Sequence, residues 1–192
     1  MNQQNFYLQA FKPIDLNLNI HGKISRINNT LTIQYVLQGE LEKIYISSIV
    51  KHPSRQNELW SVTCLEFFLG VKNSPRYWEF NLSPGGNWNI YRFDDYRQGM
   101  KEETAITSLP FNIYHQPDSL QLDLNIDLDP FIGPQTELDV AITSVVKDSK
   151  DEITYWALKH CGEKPDFHRR DSFVMELIRK GDEFNFTSES VN

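Results

Sequence analysis

The stretch LQLDLNIDLD, residues 120–129, decides the fold. Leu120, Leu122, Leu124, Ile126 and Leu128 alternate there with Gln121, Asp123, Asn125, Asp127 and Asp129, and successive side chains of a strand point to opposite faces. A period of two predicts a strand with one apolar face and one wet face. The alternation recurs in Leu16, Leu18 and Ile20 and, after the polar turn Asn28-Asn29, in Leu31, Ile33, Tyr35 and Leu37. Further strands are predicted over residues 64–69, 77–82, 87–93, 138–146, 153–158 and 173–178, separated by the turn signals SPGG, QPDS, IGPQ and KDSKDE. That many short strands with little helix predicts an all-β chain, an antiparallel β-sandwich. Residues 94–110 show no sustained period and read as a long loop, of a length that in compact domains is usually functional or mobile.

Composition sets the outer bounds. The chain has 192 residues, 23% charged and 40% hydrophobic, which predicts one domain over residues 1–180 with a flexible tail over 181–192. At this length folding removes roughly 70% of the extended chain's surface from water, so neither metal nor disulfide is needed for stability. Cys64 and Cys161 agree with that. Nineteen basic residues against 26 acidic ones leave a formal charge of −7, a sign that repels phosphate backbones and anionic leaflets. No nucleic acid and no membrane is expected as a partner. The start, MNQQNFYLQAFKPID, has no basic n-region and no apolar run, and no window approaches the roughly 20 apolar residues of a spanning helix. A cytoplasmic location is the expectation, in which case the sequons at Asn28 and Asn185 carry no information.

Most of the functional information lies in YWEFNLSPGGNWNIYRF, residues 77–93. A loop of about four residues, Ser83 to Gly86, sets Leu82 against Asn87, and hence Asn81 against Trp88, Glu79 against Ile90 and Tyr77 against Arg92. One face then carries Tyr77, Glu79, Asn81, Trp88, Ile90 and Arg92, while Trp78, Phe80, Leu82, Tyr91 and Phe93 point to the core. A broad aromatic surface beside a carboxylate, an amide and a guanidinium suits a neutral polar ligand, whose ring stacks on Trp while its hydroxyls meet the polar groups. The plainer alternative is a Glu79–Arg92 cross-strand ion pair with Trp88 covering the sheet. The register decides between them, because a slip of one residue moves Trp88 to the opposite side. The preceding strand adds Glu66 to the polar face. Two facing carboxylates also open a hydrolytic reading, which for a glycosidase requires a pair about 5–10 Å apart in divergent environments.

Other motifs carry less. DLNID, residues 123–127, copies the opening of a calcium loop, but Leu128 stands where Gly is required and no closing Glu follows. His21, His52, His115, His160 and His168 show no HxxxH spacing and the cysteines no CxxC, which argues against a structural zinc site. In PDFHRRDS, residues 165–172, Asp166 could orient His168 as a base, although a charged corner before the last strand explains the same letters.

The segments LWSVTCLEFFLG, YWEFNLSPGGNWNIYRFDDYRQGM and YWALKHCGEKPDFHRRDSF resemble the bacterial DOMON-like domain proteins, which are similar in fold to family 9 carbohydrate-binding modules. The resemblance spans roughly residues 59–177 and rests on Cys64, Glu66, Tyr77, Glu79, Asn81, Ser83, Pro84, Gly86, Trp88 and Tyr91 in combination. It implies a β-sandwich that binds a sugar or, in related domains, haem. Haem-binding relatives use a Met and a His as axial ligands, for which Met100 with His160 or His168 stand as candidates, and no CxxCH is present for covalent attachment. The leading expectation is a non-catalytic module holding a saccharide or other small polar ligand against Tyr77, Glu79, Asn81, Trp88 and Arg92, with Glu66 and Trp156 as neighbours and no cofactor. Haem binding through Met100 and a histidine, and a carbohydrate-active enzyme using Glu66 and Glu79, are the alternatives.

Overall fold

A computed structural model describes residues 3–177; the tail predicted over 181–192 and the end of the last predicted strand, Ile178, lie outside these residues. Among the described residues thirteen strands form two antiparallel sheets: β1 (Gln4–Tyr7), β2 (Gln9–Ala10), β3 (Leu18–Ile27), β4 (Thr30–Gly39), β5 (Cys64–Val71), β6 (Tyr77–Leu82), β7 (Trp88–Phe93), β8 (Lys101–Glu102), β9 (Phe111–His115), β10 (Ser119–Asp127), β11 (Leu138–Lys147), β12 (Ile153–Ala157) and β13 (Met175–Leu177). The smaller sheet runs β1-β3-β4-β10-β9 and the larger β2-β12-β11-β5-β6-β7-β8, with β13 sharing the free edge of β11 with β12. Helix is limited, among the described residues, to three short 3₁₀ turns, so no helix of these residues is long and apolar enough to cross a membrane.

The smaller sheet follows the alternation read from the sequence. Leu31, Ile33, Tyr35 and Leu37 of β4 and Leu120, Leu122, Leu124 and Ile126 of β10 all face inward and are buried. Between β3 and β4, Asn28 takes a left-handed conformation (φ 55°) in a two-residue turn that sets Ile27 opposite Thr30; Asn is among the few residues that tolerate this region. Asp127 and Asp129 are exposed and Asp123 accepts hydrogen bonds from Gln34 and Gln121, so the acidic edge of LQLDLNIDLD is the wet side. The two inner faces meet in one apolar core, and Tyr35 reaches across it to donate a 2.5 Å hydrogen bond to the Glu66 carbonyl.

The central strands of the larger sheet, β11, β5, β6 and β7, are buried on both faces. The outer side of this sheet holds a second cluster, Phe68, Tyr77, Tyr91, Phe93, Ala141 and Phe173, against which Trp60 and Phe167 pack. A strand covered on both sides loses its alternation and reads as a continuous run, as CLEFFLG and YWEFNL do.

The hairpin register differs by one residue from the sequence expectation. Five residues, Ser83 to Asn87, separate the last pair, Leu82 opposite Trp88, so Asn81 faces Asn89, Glu79 faces Tyr91, and Tyr77 faces Phe93. The extra loop residue is accommodated by Gly86 at φ 106°, open to glycine and strained for other residues, and by Asn87, whose side chain accepts the Ser54 N–H. Trp88 is drawn the other way: its N–H donates to Ser54 O, its carbonyl accepts from Gln56, and the Arg55 guanidinium lies 4.4 Å from its ring centroid. Trp88 is thus a core residue, 3% exposed, and Arg92 shares the Trp78 side of β7, away from Glu79. Trp156 pairs with Ser144, which pairs in turn with Leu65, so its indole also enters the core.

Candidate functional site

Two rungs of the larger sheet build the site on its outer face. One aligns Thr143, Glu66, Asn81 and Asn89 across β11, β5, β6 and β7, and the next aligns Ala141, Phe68, Glu79 and Tyr91. Glu66 and Glu79 therefore sit side by side on neighbouring strands, one rung apart, 2% and 5% exposed. They form the floor of a pocket of about 330 Å³, near the lower end of the roughly 300–1,000 Å³ usual for small-molecule sites. Trp60, Phe93, Tyr155 and Phe167 supply its aromatic walls, and Arg97, Met100 and His168 close it from the loops.

Each floor carboxyl has a different set of partners. Asn81 Nδ2 donates to Glu79 Oε1 at 2.9 Å, and His168 Nε2 stands 3.8 Å from Glu79 Oε2. Thr143 Oγ1 donates to Glu66 Oε2 at 3.3 Å, while Glu66 Oε1 has no hydrogen-bond partner among the described residues. Burial penalises the ionised form of both: Glu79 is pushed up to about 7 against the pull of Asn81 and Arg97, and Glu66 is raised well above the carboxylate range by burial and then by the charge of Glu79.

A hydrogen-bonded hub fixes His168. Burial pushes the Tyr77 phenol up to about 12, so its hydroxyl stays protonated; it accepts the Arg97 N–H at 3.2 Å and lies 2.8 Å from His168 Nδ1. Burial, then the Arg97 charge, bring the imidazole down to about 4. A neutral ring accepting from Tyr77 at Nδ1 carries its proton on Nε2, aimed at Glu79. Asp166 anchors this wall by accepting from the Arg97 guanidinium (2.9 Å), the Tyr96 hydroxyl and the His168 N–H. Arg170 stacks on Phe173 and bonds Asp139 and the Val71 carbonyl, lying so close over Gly70 that a Cβ there would come 1.2 Å from its Nη1.

No protein-family model matches the chain, and no curated protein does. Solved structures do. A protein of Bacteroides uniformis ATCC 8492 described as carbohydrate-binding superposes with a TM-score of 0.66 over 91% of this chain and 87% of its own, at 13% identity. A family 9 carbohydrate-binding module of Caldicellulosiruptor kristjanssonii in complex with glucose gives a TM-score of 0.53 over 93% and 84% of the two chains, again at 13% identity. The same kind of module from that organism in complex with cellotriose gives 0.56 over 100% and 89%, at 13%. The chain has the fold of a family 9 carbohydrate-binding module.

Within this carbohydrate-binding-module fold the predicted site residues divide in two. Glu66 and Glu79 lie on the pocket floor, with Asn81 and Tyr77 beneath and beside them as positioning groups. Trp88, Arg92 and Trp156 lie on the opposite side of the sheet, as the register requires. His168 lines the pocket and Asp166 holds that wall through the Arg97 guanidinium and the His168 N–H, in a corner that also leads into β13. Of the residues considered for haem, Met100 and His168 both line the pocket, while His160 stands away from it, its Nε2 2.8 Å from Gln9 O. They do not fit a haem site: one ring nitrogen of His168 is engaged by Tyr77 and the other faces a buried carboxyl, and the pocket is small for a tetrapyrrole. Sequence reasoning missed Trp60, Arg97, Tyr155 and Phe167. Trp60 sits on a 3₁₀ turn (Leu59–Ser61) and Arg97 in a loop at φ 52°, where no periodicity reports a facing direction. Tyr155 was open to discovery, because the strand assignment that turns Trp156 inward turns Tyr155 outward.

Proposed function

We propose that the outer-face pocket binds a saccharide without transforming it. The observation that carries this is the pairing of aromatic walls, Trp60, Tyr155 and Phe167, with a floor of two hydrogen-bonding carboxyls in one cavity. Sugar rings present apolar C–H faces and a rim of hydroxyls, which such a cavity meets by stacking and by hydrogen bonding respectively. Two structural neighbours are in complex with glucose and with cellotriose, which supports the same ligand class here. Kinship with the DOMON-like proteins, inferred from the sequence segments, belongs to the same proposal.

The structural neighbours, described as carbohydrate-binding, favour binding over hydrolysis. Intrinsic tryptophan fluorescence across a panel of mono- and oligosaccharides tests the proposal. A saturable change with glucose, cellotriose or a related sugar, abolished in Trp60→Ala, is expected; a flat response across the panel overturns it.

A further inference from the structure

The hydrogen bonding of the pocket floor is incomplete, and what is missing specifies a ligand. Glu66 and Glu79 are both on the floor, and among the described residues no hydrogen-bond partner meets Glu66 Oε1, a buried carboxyl oxygen on a side chain that lines the cavity. Among the described residues the cation that lines the pocket, Arg97, acts on Glu79 through its charge but gives its side-chain hydrogen bond to Asp166. Arg97 turns its guanidinium to Asp166 at 2.9 Å, with its side chain 52% exposed, and His168 is neutral at physiological pH. The remaining groups facing the floor bring no positive charge: Thr143, Cys64 and Tyr35 around Glu66, and Asn81, Tyr77 and Tyr91 around Glu79. Aromatic faces close the walls, and such faces attract cations through their quadrupoles.

We propose that the ligand carries a protonated primary amine, so that the favoured saccharide is an amino sugar, its ammonium seated between Glu66 and Glu79. This rests on the saccharide reading above and deepens it. An ammonium offers three N–H donors and a charge, whereas a neutral hydroxyl offers one donor and leaves the carboxyls competing for a proton. With the ammonium in place both carboxylates become ionised, each making a charge-assisted hydrogen bond. The protons that the floor carboxyls hold in the free protein leave to solvent and the amine keeps its own, so the occupied floor sets two carboxylates against one ammonium and keeps one net negative charge.

Titrations of the full chain at about pH 7 with glucosamine, glucose, N-acetylglucosamine and ethanolamine, read by tryptophan fluorescence and calorimetry, test this. Glucosamine should half-saturate at a concentration at least about tenfold below glucose, with N-acetylglucosamine no tighter than glucose. Its apparent binding heat should differ between buffers of different ionisation enthalpy in the sense of proton release, and its preference should vanish in Glu66→Gln and in the Glu66→Gln, Glu79→Gln pair. Gln keeps the side-chain volume at both positions; circular dichroism checks folding, and Glu66→Gln alone decides if the pair does not fold. Equal binding of glucosamine and glucose, or an equal preference for N-acetylglucosamine, overturns the amine proposal and leaves the saccharide reading standing. Binding of ethanolamine with no response to any sugar overturns the saccharide reading and, with it, the amino-sugar ligand. Silence from all four compounds overturns both.

Discussion

Replacing Glu79 with Gln should stabilise the protein above neutral pH and change little in acid. Glu79 is almost wholly buried, and that burial lifts its carboxyl from an ordinary 4.5 to about 7. Between those two values the unfolded chain has released the proton that the folded chain still holds. Stability from this group is therefore fully present below 4.5 and is lost as pH rises, by up to about 1.4 kcal/mol per pH unit. Across the window the loss reaches about 3 kcal/mol. Glu79→Gln removes the titration while keeping the volume and an oxygen to accept the Asn81 amide. It also relieves the charge that helps to raise Glu66, an effect of the same sign. Urea unfolding of wild type and variant at several values from about pH 4 to pH 8 measures the difference directly. The variant should match wild type near pH 4 and exceed it by about 3 kcal/mol near pH 8. A difference constant across this range, or one that widens toward acid, refutes the assignment of Glu79 as a carboxyl held protonated by burial.

Three further substitutions probe other parts of the structure. Trp88→Ala should cost about 3–5 kcal/mol in denaturant unfolding, the usual range for emptying a buried Trp site, and its loss of Arg55 stacking adds to this; a loss under about 1 kcal/mol would return Trp88 to the surface. Gly70→Ala should destabilise by about 1–3 kcal/mol, because the new Cβ displaces Arg170 from Asp139 and the Val71 carbonyl; an unchanged melting temperature contradicts that packing. Tyr77→Phe removes the hydroxyl between Arg97 and His168 and should raise hydrogen exchange at the Arg97 amide and free His168 Nδ1, seen as a changed tautomer by ¹⁵N chemical shifts. Unchanged shifts at His168 count against the hub.

The sequence read the smaller sheet well and the outer face of the larger one poorly, for a physical reason. LQLDLNIDLD and the 31–37 strand each have a wet side, so hydrophobicity itself reports the direction of every side chain. CLEFFLG and YWEFNL are covered on both faces, and there the direction follows only from the register. That register turned on one residue, Asn87, which a four-residue loop assigns to the strand but which Ser54 holds outside it. The same slip carried Trp88 and Arg92 to the wrong side and left Tyr91 and Phe93 unrecognised as outer-face residues. Glu66 and Glu79 survived because both belong to β5 and β6, whose relative facing does not depend on the SPGG loop. Trp60, Arg97 and Phe167 come from loops that converge on the pocket only through tertiary packing, which no local pattern encodes.

The central claim, a saccharide pocket walled by Trp60 on the outer face of the larger sheet, is tested most directly by the tryptophan indole signals in a ¹H–¹⁵N correlation spectrum. The chain has four tryptophans, and Trp78, Trp88 and Trp156 all enter the inter-sheet core. On titration with a saccharide the Trp60 indole signal should move progressively and saturably while the other three hold still. Movement of the Trp88 indole with Trp60 unmoved, or no movement of any, would contradict the account.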